Sequence, residues 1–249
     1  TPGEDSDEPD TITLRVLDIA SGKWSAPSAA PTDVSGPLSV ASTHISNDGR
    51  TVMVAASRWN YANDTGIYYS ISWKDASAPL VAPMPGWNRD MVLSADGSTA
   101  FLAYVQGREP SFEEVAEGVF ATRYVNGAWT TPEQVPTGDF NRVSDEGPGL
   151  VPVANADMSR IMLVWGDGND PYEDPQNLRT AYWTSGAWRP GELVRGGADI
   201  QVLPSADGDK VLVTYVKYQP LKAFPHGRNT AAYRWWSSAG GWTADANFP

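Results

Sequence analysis

Val92–Val105 reads VLSADGSTAFLAYV, an Asp-Gly turn set between two apolar stretches. Asp-Gly suits a tight β-hairpin, because Gly accepts the positive φ that such turns require. The phrase returns three times: HISNDGRTVMVAAS at 44–57, PVANADMSRIMLVW at 152–165 and LPSADGDKVLVTYV at 203–216. Asp48, Asp96, Asp157 and Asp207 hold equivalent places, spaced 48, 61 and 50 residues apart. Eight residues after them stand Ala56, Tyr104, Trp165 and Tyr215. Met158 replaces the turn Gly in the third copy, which predicts a different turn there.

Each copy continues through a connection into a further strand and then a G-x-W turn, closed by Trp129, Trp188 and Trp242 in copies two to four. Copy one has Ser77-Ala78-Pro79 in that place. The strands after the Asp turns, such as Val52–Ala56 and Val211–Tyr215, are apolar at successive positions, which means burial on both faces. A four-stranded meander covered on both faces and repeated at about 50 residues is the pattern of β-propeller blades. The fold class expected is therefore all-β, with four complete blades over 37–249. The phrase S-x-D-G followed by G-x-W-[ST]-x-P resembles the repeats of TolB-type bacterial β-propellers from Pro37 to the C-terminus. A weaker resemblance is to the sialidase Asp-box, S-x-D-x-G-x-T-W. Here Gly follows Asp directly and that Trp is missing, so no catalytic residue is carried over.

The N-terminus repeats part of a blade. Residues 1–10 are acidic and Pro-punctuated, like the stretch GDGNDPYEDPQ at 166–176, and both lead into a strand. Arg15 aligns with Arg123 and Arg234, and Gly22-Lys23-Trp24 repeats the G-x-W turn. Residues 11–36 thus read as the outer half of a blade, with Ile12–Asp18 as its third strand and Trp24–Pro27 as its outermost. An outer pair alone leaves a bare strand edge, so a second polypeptide fragment or subunit is expected to complete it.

Composition bounds the partners. The chain has 249 residues, 41% hydrophobic, with 11 Trp, 10 Tyr, 23 Gly and 20 Pro, as suits many short strands and turns. A net charge of −12 argues against nucleic acid and anionic membrane surfaces, which need clustered Lys and Arg. No apolar run reaches the length of a membrane span. The absence of cysteine excludes disulfides and thiol chemistry. An acidic, Cys-free, Trp-rich β chain that starts without Met is expected to be secreted or periplasmic, its leader removed.

The connections between second and third strands, at 57–66, 106–118, 166–177 and 217–229, are all ten residues or longer. Connections of such length are commonly functional. They hold Arg58, Trp59, Tyr61, Phe112, Tyr172, Tyr218 and Phe224, aromatics set among charges as sugar stacking or protein hot spots require. Asp167, Asn169, Asp170 and Asp174 crowd hard oxygen ligands as Ca²⁺ requires, in a spacing that is not an EF-hand. The function expected is a scaffold that binds a protein or glycan on this loop face. The competing reading is a glycan-active hydrolase or lyase whose acid and base come from Glu113, Glu114, Asp170 and Glu173. His44 and His226 lie beside no nucleophile motif, and His44 reads as a structural histidine.

Overall fold

The computed structural model describes residues 12–29, 38–60, 65–74, 80–84, 87–106, 118–125, 128–137, 150–167, 177–191, 194–195, 198–221 and 224–248. Each of the four repeats forms one antiparallel sheet whose strands pair in chain order. Blade 1 runs Leu38–Ile45, Thr51–Asn60, Thr65–Lys74 and Leu80–Met84. In blade 2, Trp87–Leu93, Thr99–Gln106 and Gly118–Val125 are followed by an outermost strand in two pieces, Ala128–Trp129 and Glu133–Gln134. Blades 3 and 4 repeat that plan, with inner hairpins Val151–Ala154/Arg160–Asp167 and Ala198–Pro204/Lys210–Leu221. Their third strands are Asn177–Thr184 and Phe224–Ser237, each bordered by a two-piece outer strand.

The four Asp turns are built alike. Gly49, Gly97, Met158 and Gly208 all hold positive φ, and each donates its backbone N–H three residues back at 2.9 Å. Ser46, Ser94 and Ser205 donate their hydroxyls to Asp48, Asp96 and Asp207 at 2.6–2.7 Å, and Asn155 does the same for Asp157 through Nδ2. Each Asp then accepts a backbone N–H from the residue two further on, at 3.0 Å. The different turn expected at Met158 is therefore not found. Its φ of 57° costs roughly 1–2 kcal/mol. The side chain, 1% exposed against Phe101 and Trp165 of the interblade core, offsets that cost.

Packing follows chain order. One face of blade 1 packs on blade 2 through Met53 and Ala55 against Met91, Leu102 and Tyr104. Blade 2 meets blade 3 through Phe101, Ala103 and Val105 against Ile161, Leu163 and Trp165. Blade 3 meets blade 4 through Met162 and Val164 against Val211, Val213 and Tyr215. The successive apolar positions of the second strands are thus buried on both faces in blades 1 to 3, as the sequence implies. Blade 4 departs from this: Val211, Val213 and Tyr215 are buried while Leu212 and Thr214 between them are only half-buried.

The N-terminal stretch is a strand pair. Thr13–Leu14 pairs Ser28–Ala29, and Leu17–Asp18 pairs Lys23–Trp24. The register matches blade 4, where Ala232–Tyr233 pairs Ala246–Asn247 and Trp236–Ser237 pairs Gly241–Trp242. Even the stitching repeats: Arg15 Nε donates to the Ser25 carbonyl as Arg234 Nε donates to that of Thr243. Arg123 does not belong to this column. The blade 2 equivalent is Thr122, whose hydroxyl donates to the Thr130 carbonyl at 2.7 Å, while Arg123 points to the other face and lies 4.4 Å over the Trp183 ring of blade 3.

Two outcomes test this account. Met158→Gly relieves the strained φ but empties a buried site, so chemical denaturation should show a net loss of about 1–3 kcal/mol. The second concerns acid. Converging hydrogen bonds hold all four turn carboxylates below 3.8, and Asp96, bonded first by the Ser98 amide and then by the Ser94 and Ser98 hydroxyls, is brought to about 2. A depressed pKa stabilises the fold above the unfolded value and loses that contribution as pH falls through the folded one. Melting temperature should therefore decline between pH 3.8 and about 2, and more shallowly in Asp96→Asn.

Candidate functional site: the loop face

Strand direction decides which residues meet. Each second strand leaves its Asp turn at one end of the blade and reaches the second-to-third connection at the other. The turns of blades 1, 2 and 3 are linked to one another: Asn47 N–H donates to the Ala95 carbonyl at 2.9 Å, and Ala95 N–H to that of Ala156 at 3.4 Å. Arg160 reaches from the third turn to Asp209 of the fourth. With the turns gathered on one face, the roots of all four connections lie on the opposite face.

Two connections are shorter than the sequence suggests. The ladder of blade 1 runs on to Asn60↔Thr65, and that of blade 4 to Leu221↔Phe224, leaving 61–64 and 222–223. Blades 2 and 3 close at Gln106↔Gly118 and Asp167↔Asn177, so 107–117 and 168–176 are the long ones. Arg58, Trp59, Tyr218 and Phe224 belong to paired strands at this end, and Asp167 is the last paired residue of its strand. Tyr61, Phe112, Glu113, Glu114, Asn169, Asp170, Tyr172, Glu173 and Asp174 lie outside the described residues. Among the described residues no group of three His, Asp or Glu could hold a metal ion.

The platform beneath this face is closely packed. Tyr104, Trp165 and Tyr215, the column eight residues after the Asp turns, are buried wedges aimed at the preceding blade. Burial pushes the Tyr104 hydroxyl up to about 12, and its ring stacks on Phe120 with centroids 6.0 Å apart. Tyr215 carries a polar network that sequence reasoning missed. Its hydroxyl donates to Asp245 Oδ1 at 2.7 Å, Lys217 Nζ donates to Oδ2 at 2.8 Å, and Arg234 Nε lies 2.9 Å from Oδ1. Burial pushes the Asp245 carboxyl up. Hydrogen bonds from Lys217 and Tyr215 and the charges of Lys217 and Arg234 outweigh it, and the pKa ends below its ordinary value. Desolvation first, then the bond to Asp245, pushes the Tyr215 hydroxyl up. The only sequence signal was the spacing of Lys217 two residues after Tyr215, so that both point one way from a strand.

On the innermost strands His44 Nε2 lies 3.3 Å from Asp90 Oδ1, both partly exposed, and the pair joins blade 1 to blade 2. Asp90 also accepts the Met91 N–H at 2.8 Å. The contact fits the structural role expected of His44.

No family model and no curated protein matches the sequence. Solved structures do. The β-propeller domain of the Trilobed protease from Pyrococcus furiosus matches over 85% of this chain and 57% of its own, at 9% identity and TM-score 0.51. The hydrazine synthase of Kuenenia stuttgartiensis matches over 95% of this chain and 60% of its own, at 13% identity and TM-score 0.53. The fold is that of a β-propeller. TolB from Acinetobacter baumannii is also similar, at 17% identity over 95% of this chain and 48% of its own, with TM-score 0.46. This chain therefore spans less than two thirds of the length of these structures. Among the described residues no helix is long and apolar enough to cross a membrane.

The Asp245 network gives a direct expectation. Asp245→Asn leaves Lys217 and Arg234 without their shared anion, and urea denaturation should show a loss of about 1–2 kcal/mol. Tyr215→Phe should cost about 1 kcal/mol. The double variant should lose less than the two single losses combined, because both changes cut the same bond.

Proposed function

We propose that this propeller is a binding scaffold, acting outside the cytoplasm, whose loop face takes a protein or glycan partner. One observation carries the reading. Four second-to-third connections are rooted at the same end of four stacked sheets, while the opposite end is closed by four tight Asp turns. Binding residues concentrate on loops that a rigid scaffold holds in place. The connections pool Arg58, Trp59, Tyr61, Phe112, Tyr172, Tyr218 and Phe224 by sequence. Aromatic rings among charged neighbours offer both stacking faces and polar edges.

The charge of these connections narrows the partner. Connection 107–117 holds Glu109, Glu113, Glu114 and Glu117 against Arg108 alone, and 168–176 holds Asp170, Glu173 and Asp174 with no Lys or Arg. Like charges repel at close quarters, so a neutral or cationic partner suits this face and an anionic one does not.

Binding to an array of neutral oligosaccharides and cationic peptides, followed by titration of the best binder with Trp fluorescence, tests the reading. Trp59→Ala should weaken that binder by about 2 kcal/mol, roughly thirtyfold. Release of reducing sugar from any glycan, abolished by Glu113→Gln or Glu173→Gln, would replace the scaffold with a hydrolase. A binder unaffected by Trp59→Ala and by exchange of 168–176 for Gly-Ser would move the site off this face.

A further inference from the structure

Large exposed apolar side chains are not scattered over this molecule. Among the described residues they are Val16, Leu17, Ile19 and Trp24 in the N-terminal strand pair, Ile45 in blade 1, and Leu203, Trp235 and Phe248 in blade 4. None lies in blade 2 or 3. The two ends of the stack carry them all, and the N-terminal end is the more specific of the two.

Three independent features describe that end as a blade lacking its inner half. First, the strand pair at 13–29 repeats the register and stitching of the outer half of blade 4, yet no strand among the described residues pairs with the free edge of Thr13–Asp18. Second, the turn glycines report on the preceding blade. A Cβ on Gly97 would collide with Thr51 of blade 1, and one on Gly208 with the Ala154 backbone of blade 3, whereas one on Gly49 would meet nothing within 4 Å. Third, Ile45 is 62% exposed, while Leu93 at the same place in blade 2 packs against blade 1. Most of the same face is covered: Ile12 and Leu14 pack against the cluster of Val52, Val54, Ala56, Ile71 and Trp73. What is bare is the innermost strand, where Thr43 and Ile45 are exposed while Val52, Val54 and Ala56 on the second strand are buried.

We propose that this slot is a β-hairpin acceptor, and that its occupant is an inner hairpin of the S-x-D-G type from polypeptide outside these 249 residues. The chemistry of the occupant follows from the repeats. In blade 4, Val211–Tyr215 lies opposite Ala232–Trp236, the places that Thr13–Leu17 repeat. The incoming second strand therefore pairs Thr13–Leu17 with apolar residues at successive positions. One side covers Ile45 as Met53 and Ala55 of blade 1 cover Met91 and Leu93 of the next blade. The incoming turn lies beside Gly49, and its backbone N–H donates to the Asn47 carbonyl, as Asn47 N–H donates to that of Ala95. The interface continues the blade-on-blade stacking already present three times, so it needs no new kind of contact. An unpaired strand edge and an apolar face in one place are what β-augmentation uses.

The probe is the chain's own matched hairpin, a synthetic peptide of residues 198–217, added to the intact chain. Saturable one-to-one binding is expected, with new hydrogen-exchange protection at Thr13–Asp18 and around Ile45–Gly49. Ile45→Glu should weaken it about tenfold or more while leaving the melting temperature of the chain unchanged, since Ile45 is already solvent-facing; Ile45→Leu should bind as the parent. Failure of the peptide to bind the folded chain, or protection elsewhere, would overturn the proposal. So would self-association of the chain alone in sedimentation with Ile45 and Gly49 protected, which would make the occupant a second copy. Neither result depends on whether the loop face binds anything.

Discussion

A strand that is apolar on both faces has to be covered on both, and nearly everything in this molecule follows from that. Fully burying one Val, Leu or Phe side chain contributes roughly 1.5–3 kcal/mol relative to leaving it in water. Phe101–Val105 and Ile161–Trp165 are each buried along their whole length, so their two faces have two different neighbours. A sheet with such a strand cannot be the end of anything. It sits inside a stack, and the stack bends into a propeller because each sheet is twisted and the inner edges are closer together than the outer ones.

How close the sheets come is set at the turns. Gly97 and Gly208 are pressed against the neighbouring blade so tightly that a methyl group would not fit. There Gly serves two needs, positive φ and close approach, and either alone would favour it. Met158 separates them. The turn keeps its φ but the third blade fills the gap with a long, flexible side chain instead of closing it. The hydrogen-bond network of the turn, centred on Asp157 and Asn155, is strong enough to impose the backbone on a residue that would not choose it.

The repeat made the fold legible. Asp48, Asp96, Asp157 and Asp207 mark four turns of one backbone design, and the apolar runs after them state that the sheets stack face to face. Met158 and Arg123 depart from the sequence pattern for related reasons. At Met158 local turn preference lost to interblade packing, which a one-dimensional pattern does not display. At Arg123 an alignment by residue type was one position off, and in a strand one position is the other face: Thr122 does the work of Arg15 and Arg234 there. The connections of blades 1 and 4 were read as loops, because pairing beyond the repeat has no second copy to reveal it. The Tyr215–Asp245 network was hidden for the same reason: Asp245 sits thirty residues away, between the two pieces of the outermost strand, and the other blades have no acid at its place. Site residues in general differ from blade to blade, so the regularity that exposes the fold is silent about them.

The two ends of the stack show what the covering rule does when it is only partly met. In blade 4 the far side of the second strand is polar at Thr214, and Leu212 there is only half-buried, a compromise with the covering rule. Blade 1 makes no such compromise. Val52, Val54 and Ala56 remain apolar and buried on the side toward the N-terminal pair, and Trp73 beside them is 1% exposed beneath Ile12 and Leu14. The N-terminal pair is therefore part of the core rather than an appendage, since blade 1 is built to have a blade before it. The exposure of Ile45 on that same face marks where the cover stops, at the innermost strand, the place the proposed hairpin would occupy. Ile45 lies opposite Val52 and next to a turn whose glycine has room beside it, so the bare apolar position and the edge of Thr13–Asp18 that no described strand pairs meet on one face.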